Sequence, residues 1–433
     1  MTHSSQEHFT DAGAGEAMHA LATELFPICR SLTGAGVRET LRILQKIIPL
    51  TIHEVPSGTK VFDWTIPKEW VIRDAYILDP TGNKIIDFKK SNLHVVHYSV
   101  PVDTDITLSE LQEHLYSRPN QPDAIPYITS FYEERWGFCL AHREREKLAE
   151  GTYHVHIDSD LKNGSLTYGE LVVPGEHKEE IFISTYVCHP SLANNELSGP
   201  VVTTFLARWI MSQPRRYTYR IIFIPETIGS IMYLCHNVEA MKKHVIAGFN
   251  MTCVGDERAY SYLPSRLGGT LPDRVVHLVL SHRHPEFITY SFLDRGSDER
   301  QYCAPGIDLP VVSVMRTKYG RYPEYHSSLD NLSLITPNGL EGTYGVMKDC
   351  LELIERNHRY STTVLGEPQM GRRGLYPTLG NQYDLHTHRM MDVLAYADGK
   401  HDLVDLCTVL GITPWDLYPI IETLRDAGLI ELC

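Results

Sequence analysis

The chain has 433 residues, 42% of them apolar and 22% charged, which excludes a fibrous repeat or a disordered protein and leaves room for two or three folded domains. Its net charge of −14, from 40 basic against 54 acidic residues, argues against a nucleic-acid partner, because displacing counterions from phosphates needs clustered Lys and Arg. The nine cysteines are scattered with no CxxC pair, so neither a disulfide framework nor a zinc ribbon is expected, and reduced thiols in a cytoplasm are the simplest reading. No stretch reaches the ~18 apolar residues of a membrane span, and the first 25 residues lack the basic start and apolar run of an export signal.

A polar leader to about Ala14 is followed by apolar residues at helical spacing from Glu16 to Ile48, predicting two helices broken near Ser31 to Gly36. From Thr51 to about Arg143 short β-rich runs (AYILD, KIIDF, LHVVHY) alternate with turn signals and prolines, the texture of a separate β subdomain. After Gly151 strand and helix signals alternate: YHVHID, GELVVPG and EEIFISTYV, the helical PVVTTFLARWIM, the strand YRIIFIPE, and a helix over Ser230 to Lys243. Such alternation predicts a mixed, mostly parallel sheet flanked by helices, an α/β fold interrupted by the β-rich insertion. A further helix runs from Asn338 to about Arg356, and a Gly/Pro-rich linker follows. Three short helical patterns complete the chain, the last opened by Thr413 and Pro414 as N-cap and first helical residue and closed by Gly428. They read as a winged-helix module. Its last helix carries Asp416, Glu422 and Asp426 against Arg425 alone, which favours packing against protein, in this chain or a second copy, over reading DNA. The expected boundaries are 15–58 with 146–360 for the α/β domain, 59–145 for the insertion, 361–386 for the linker and 387–433 for the winged helix.

Four segments place ionisable residues directly after strands, where open α/β sheets gather ligands. In ISTYVCHPSLANNELSG, His189 and Glu196 lie between a strand and a helix. In RIIFIPETIGS, Glu226 ends an apolar strand, where it serves either as a helix cap or as a general base in metal-assisted hydrolysis. In NMTCVGDERAYSY, Asp256 follows Gly255 as a turn residue or a ligand. The fourth, GSDERQYCAPGIDLPVVSVMRTKYGRYPEYHSSLDNL, ends on His326 and Asp330, the latter suited to anchor a loop or orient an imidazole, with Tyr319, Tyr322 and Tyr325 able to wall a pocket or simply pack.

Together, these segments resemble the zinc aminopeptidase and glutaminyl cyclase superfamily: a His after a strand, an ANNELSG turn, an ETIGS strand end, and GSDER, PGIDLP and YHSSLD in order. More narrowly, the chain is similar over nearly its whole length to a bacterial aminopeptidase-like family associated with polysaccharide biosynthesis, with an inserted β domain and a C-terminal winged helix. The resemblance implies a metal site, but Asn195 stands where the superfamily has a metal-bridging Asp, and Thr227 where it has a second metal-binding Glu. One divalent ion, preferably zinc, is therefore expected in place of two, on His189, His326 and an oxygen of Glu196 or Asp256.

The expectation that follows is a metal-dependent hydrolase of the aminopeptidase or amidase type, with Glu226 as general base and Arg300 and Tyr325 contacting a small peptide or amide. The competing readings are a degenerate member that holds a ligand without hydrolysis, prompted by Asn195 and Thr227, and a regulator built on the C-terminal module. The expected partners are a small peptide or amide substrate and a second copy of the chain, with neither nucleic acid nor membrane.

Overall fold

The computed structural model describes residues 13–376 and 385–433. The polar leader and part of the expected linker lie outside the described residues. In chain order come α1 (Ala14–Leu25), α2 (Ala35–Gln45), β1 (Thr51–Pro56), β2 (Glu69–Leu78), β3 (Lys84–Asp87), β4 (Val102–Thr107), β5 (Thr152–Lys162), β6 (Ser165–Val173) and β7 (Glu180–Tyr186). Next are α3 (Ser198–Met211), β8 (Thr218–Ile224), α4 (Ile228–His244), β9 (Val245–Met251), β10 (Ser261–Leu263), α5 (Leu271–Arg283), β11 (Ile288–Thr289), β12 (Val311–Met315) and α6 (Pro337–Glu355). The chain ends with β13 (Arg359–Thr362), α7 (Leu385–Tyr396), β14 (Asp398–Asp402), α8 (Leu403–Leu410), α9 (Pro414–Asp426) and β15 (Ile430–Leu432).

Two compact units divide these elements. The first runs to Asp273 and takes in Phe287–Gly345. Its main sheet is eight-stranded, in the order β1-β6-β8-β7-β9-β12-β10-β11. The centre is parallel, with β7 paired to both β8 and β9, and β9 to β12. Every residue of β7 and β12 is buried, as a parallel sheet covered on both faces requires, so these strands read as unbroken apolar runs rather than alternating ones. Their parallel direction brings the carboxyl ends of β7, β8, β9 and β12 to the same edge of the sheet.

Between β1 and β6 the chain builds a second, antiparallel sheet in the order β3-β2-β5-β4. Here the structure shifts a boundary. The YHVHID strand, read from sequence as the first strand of the α/β repeat, lies within β5 at the centre of the inserted sheet, paired along its length with β2 and β4. Its alternation is the reason: Tyr153, Val155, Ile157 and Ser159 point into the insertion's core, while His154, His156 and Asp160 face outward.

The second unit comprises Arg274–Glu286 and Val346–Cys433. In it β13 pairs with β14 and β15, so the strand that opens this small sheet begins at Arg359, within the stretch expected to close the α/β domain. Asp402 caps α8 through a reciprocal box with Asp405, and Thr413 caps α9 by accepting from the Asp416 amide, with Pro414 at the first helical position. Gly428 takes a left-handed φ of 63° after α9. The Arg274 guanidinium bonds both carboxylates of the α8 cap, and the Arg283 guanidinium lies 3.9 Å from the Trp415 ring centroid. Among the described residues, no single helix is long and apolar enough to cross a membrane.

One close approach fixes the start of α2. A Cβ on Gly36 would lie 2.0 Å from the Cys29 carbonyl oxygen, so the turn joining α1 to α2 closes only on glycine. Gly36→Ala is expected to lower stability by about 3 kcal/mol through this overlap, read as a fall in the urea midpoint at unchanged m-value.

Candidate active site

Glu226 follows β8, Asp256 follows β9, and His189 follows β7 just before a single π-helical turn at Ala193–Leu197 that leads into α3. Such turns widen a helix locally and recur at functional sites. Here the turn is held from outside by Asp330, whose carboxylate accepts from the amides of Ala193, Asn194 and Asn195 and from the Tyr322 hydroxyl. Asp330 thus anchors the loop rather than orienting an imidazole. Burial raises its carboxyl to about 6, against those four donors.

The turn delivers Glu196 behind His189. Its carboxylate lies 2.9 Å from His189 Nδ1, placing the imidazole proton there and leaving Nε2 as the free nitrogen. The other Glu196 oxygen is 3.3 Å from Arg30 Nε, both side chains being fully buried. Arg30, from the turn between α1 and α2, also donates to the carbonyls of His189 and Leu25. Burial raises the Glu196 carboxyl to about 8, with Arg30 pulling the other way. Burial, then the charge of Arg30, holds the His189 imidazole neutral, with its pKa lowered to about 3.

On the Nε2 side, His189 lies 3.7 Å from a Glu226 oxygen, and its ring centroid is 5.4 Å from that of His326. Two imidazoles sharing a zinc ion at ~2.1 Å bonds would place their centroids at about this separation. His326 Nε2 is buried with no hydrogen-bond partner, and its ring stacks on Tyr325 at 3.9 Å. His326 adopts φ 53°, a left-handed conformation uncommon for a side-chain-bearing residue and found where surrounding structure holds a site residue in place. The insertion supplies that hold: Arg118 donates to the carbonyls of Tyr325 and His326, the Tyr127 amide donates to His326, and the Tyr127 ring meets both imidazoles edge-on at 5.3 and 5.2 Å.

Glu226 is 21% exposed. Burial, then the negative charge of Asp298, raises its carboxyl to about 8. Asp298 accepts from the Thr227 amide and the Ser230 hydroxyl through one oxygen, while the other is buried without a partner. Thr227 adopts φ 64°, and its hydroxyl accepts from Arg300 at 2.6 Å.

Asp256 lies apart from this group. Its carboxylate accepts from Asn194 Nδ2, the Arg258 amide, and both the amide and hydroxyl of Thr317, so it ties the ANNELSG turn to the loop after β12 and has no oxygen left facing the imidazoles. The residues the sequence reading passed over are Arg30, Tyr127 and Asp298. An arginine in the apolar run LFPICR was the only signal for the first, and nothing local marked Tyr127.

Donor atoms lie on both sides of the His189 ring. Cys188, His189 and Glu196 have donor atoms within 4.8 Å of one another, but Arg30 sits against Glu196, Nδ1 is engaged, and Cys188 Sγ accepts from the Glu226 amide at 3.2 Å. On the opposite side, His189 Nε2 is 3.7 Å from a Glu226 oxygen, and the His326 ring, with Nε2 buried and unpartnered, lies 5.4 Å from the His189 ring by centroid; imidazole donors of this kind suit zinc. Arg30→Met is expected to cost about 3–5 kcal/mol by stranding Glu196, and adding Glu196→Gln should restore part of the loss. Strict additivity in urea denaturation of the two single variants and the double would show that the pair is not coupled.

Residues 19–357 match a family described as a domain of unknown function, DUF4910, and residues 358–432 match a winged helix-turn-helix family. A Clostridium acetobutylicum protein, provisionally described as a polysaccharide biosynthesis protein with an aminopeptidase-like domain, is 46% identical over 401 residues, 92% of either chain. A C. acetobutylicum crystal structure provisionally described as a peptidase superposes with a TM-score of 0.92 at 43% identity, covering 98% of this chain and 97% of that one. A Bacillus subtilis zinc aminopeptidase shares the fold, with a TM-score of 0.58 at 13% identity over 80% of this chain and 95% of its own. By the family match over residues 19–357 and the 46% identity to the C. acetobutylicum protein, the chain belongs to the DUF4910 family of aminopeptidase-like proteins, with a winged helix-turn-helix at its C-terminus.

Proposed function

We propose that the chain is a metal-dependent hydrolase of small amides, in which His189 and His326 hold one divalent ion through their Nε2 atoms and Glu226 is the general base. The observation that supports this reading is the proximity of two neutral imidazoles, 5.4 Å apart by ring centroid, with a Glu226 oxygen 3.7 Å from His189 Nε2 and with His326 Nε2 buried and unpartnered. When bound, zinc would supply Lewis-acid polarisation of the amide carbonyl and a positive charge favouring ionised Glu226. Glu226 takes the proton of the attacking water and passes it to the leaving nitrogen. Arg300, with Nε buried and unpartnered beside its bond to Thr227, and Tyr325, stacked on His326, are the groups assigned to substrate contact. Glu196 and Asp256 are assigned to positioning, the first through His189 and the second through the ANNELSG turn. The C. acetobutylicum relative is described with polysaccharide biosynthesis and an aminopeptidase-like domain, which supports testing acylated amino sugars beside small peptides.

Ligand binding without hydrolysis is the second reading, favoured by Thr227, which offers no carboxylate and is bonded to Arg300. Glu226→Gln separates the two. On a panel of aminoacyl and acyl amides it should retain zinc and lose about 10²–10⁴-fold in turnover, with little change in KM, while His326→Ala should lose the ion. Zinc loss in Glu226→Gln would make Glu226 a ligand, and undiminished turnover would make it structural.

For the C-terminal module we propose a protein partner, because α9 presents Asp416, Glu422 and Asp426. Duplex DNA at 50 mM salt should show no binding that weakens with added salt; a steep salt dependence would overturn this assignment.

A further inference from the structure

The outward face of the inserted sheet carries a second group of metal-ligating side chains that the proposed chemistry does not use. Alternation along β5 puts His154 and His156 on the same face, and antiparallel pairing with β4 sets Asp105 opposite His154 and Asp103 opposite His156. Donor atoms of Asp103, His154 and His156 all lie within 4.8 Å of one another. His154 Nε2 is 3.4 Å from Asp103 Oδ1, and His156 Nδ1 is 3.3 Å from Asp103 Oδ2. For a tetrahedral zinc ion with bonds of ~2.0–2.1 Å, neighbouring ligand atoms lie about 3.3 Å apart. The two histidine–aspartate distances are thus compatible with neighbouring positions in a coordination shell.

The second carboxylate bears on the same point. His154 Nδ1 lies 2.9 Å from Asp105 Oδ1, so the imidazole proton of a neutral ring sits on Nδ1 and the Nε2 lone pair is left beside Asp103. A metal ion between these two acceptors would satisfy both. A carboxylate on the far nitrogen of a ligating histidine is the recurrent arrangement that fixes its tautomer and raises its basicity. The rings are also held: His156 stacks on Tyr76 at 4.8 Å with 25° between planes, and both imidazoles sit on a regular strand rather than a loop. Neighbouring charge does not oppose a cation. Arg73 is engaged by Asp158 and Asp160, Lys84 lies over the Tyr76 ring and within 3.9 Å of Asp87, and Asp103 and Asp105 meet only imidazoles among the described residues.

We infer that His154, His156 and Asp103 form a second site for a divalent transition-metal ion, zinc by its nitrogen and carboxylate donors, with Asp105 orienting His154. The site is independent of the one at His189 and His326, staples β4 to β5, and leaves a coordination position open to water. Its affinity should be modest, because Asp103 is 67% exposed and the ion competes with solvent.

Zinc titration of the full chain, stripped by chelation and followed by competition with a chromophoric chelator at pH 8, tests the inference. His189→Asn/His326→Asn should still bind one equivalent, and His154→Gln/His156→Gln should bind one fewer than the parent protein. Asp103→Asn, a change at an exposed side chain, should lose the same equivalent with an unchanged circular dichroism spectrum. Asp105→Asn should keep the site but weaken it about 10–100-fold. In the His189→Asn/His326→Asn protein, zinc should shift the imidazole nitrogen resonances of His154 and His156. No zinc uptake by that protein, equal uptake by the His154→Gln/His156→Gln protein and the parent, or imidazole resonances unmoved by zinc would each overturn the inference, whatever the fate of the catalytic proposal.

Discussion

A guanidinium and a carboxylate, both removed from water, hold the site together. Arg30 and Glu196 are each fully buried at 3.3 Å, and Glu196 in turn grips His189 Nδ1 at 2.9 Å. Burying two charges costs several kcal/mol per ion, which mutual attraction recovers only when the remaining donors are also satisfied. Arg30 meets that condition by reaching the carbonyls of Leu25 and His189. The chain of contacts links the α1–α2 turn to the carboxyl end of β7 and holds the imidazole with Nε2 toward Glu226. The same positive charge that fixes His189 keeps a cation off its Nδ1 side.

Around that pair the remaining carboxylates divide by how fully their oxygens are occupied. Asp330 and Asp256 are saturated with donors and act as ties, the first on the π-helical turn, the second between that turn and the loop after β12. Asp298 retains one buried oxygen without a partner, and burial raises both its carboxyl and that of Glu226, the latter further raised by the charge of Asp298.

The insertion is part of this frame. Arg118 and the Tyr127 amide bind the backbone of the His326 loop, and the Tyr127 ring fills the angle between the two imidazoles. A loop residue held at positive φ needs such external support, and a segment about 200 positions away in sequence provides it.

The fold class, the β-rich insertion and the winged helix were legible because they rest on local periodicity and turn chemistry: unbroken apolar runs for the covered strands, alternation for the insertion, and Thr413–Pro414 with Gly428 for the last helix. The candidate residues His189, Glu226 and His326 were legible because each follows an apolar strand, and parallel strands bring their carboxyl ends together. Sequence order could not say which side of an imidazole a carboxylate would occupy. Glu196, seven positions after His189, and Asp256 were equal candidates in the sequence; the fold sets Glu196 against His189 Nδ1 and engages Asp256 with Asn194, Arg258 and Thr317. Nor could it reveal Arg30 or Tyr127, whose roles come from contacts 159 and 199 positions away, or show that β5 belongs to the inserted sheet, since strand partnership is decided by which face finds a core.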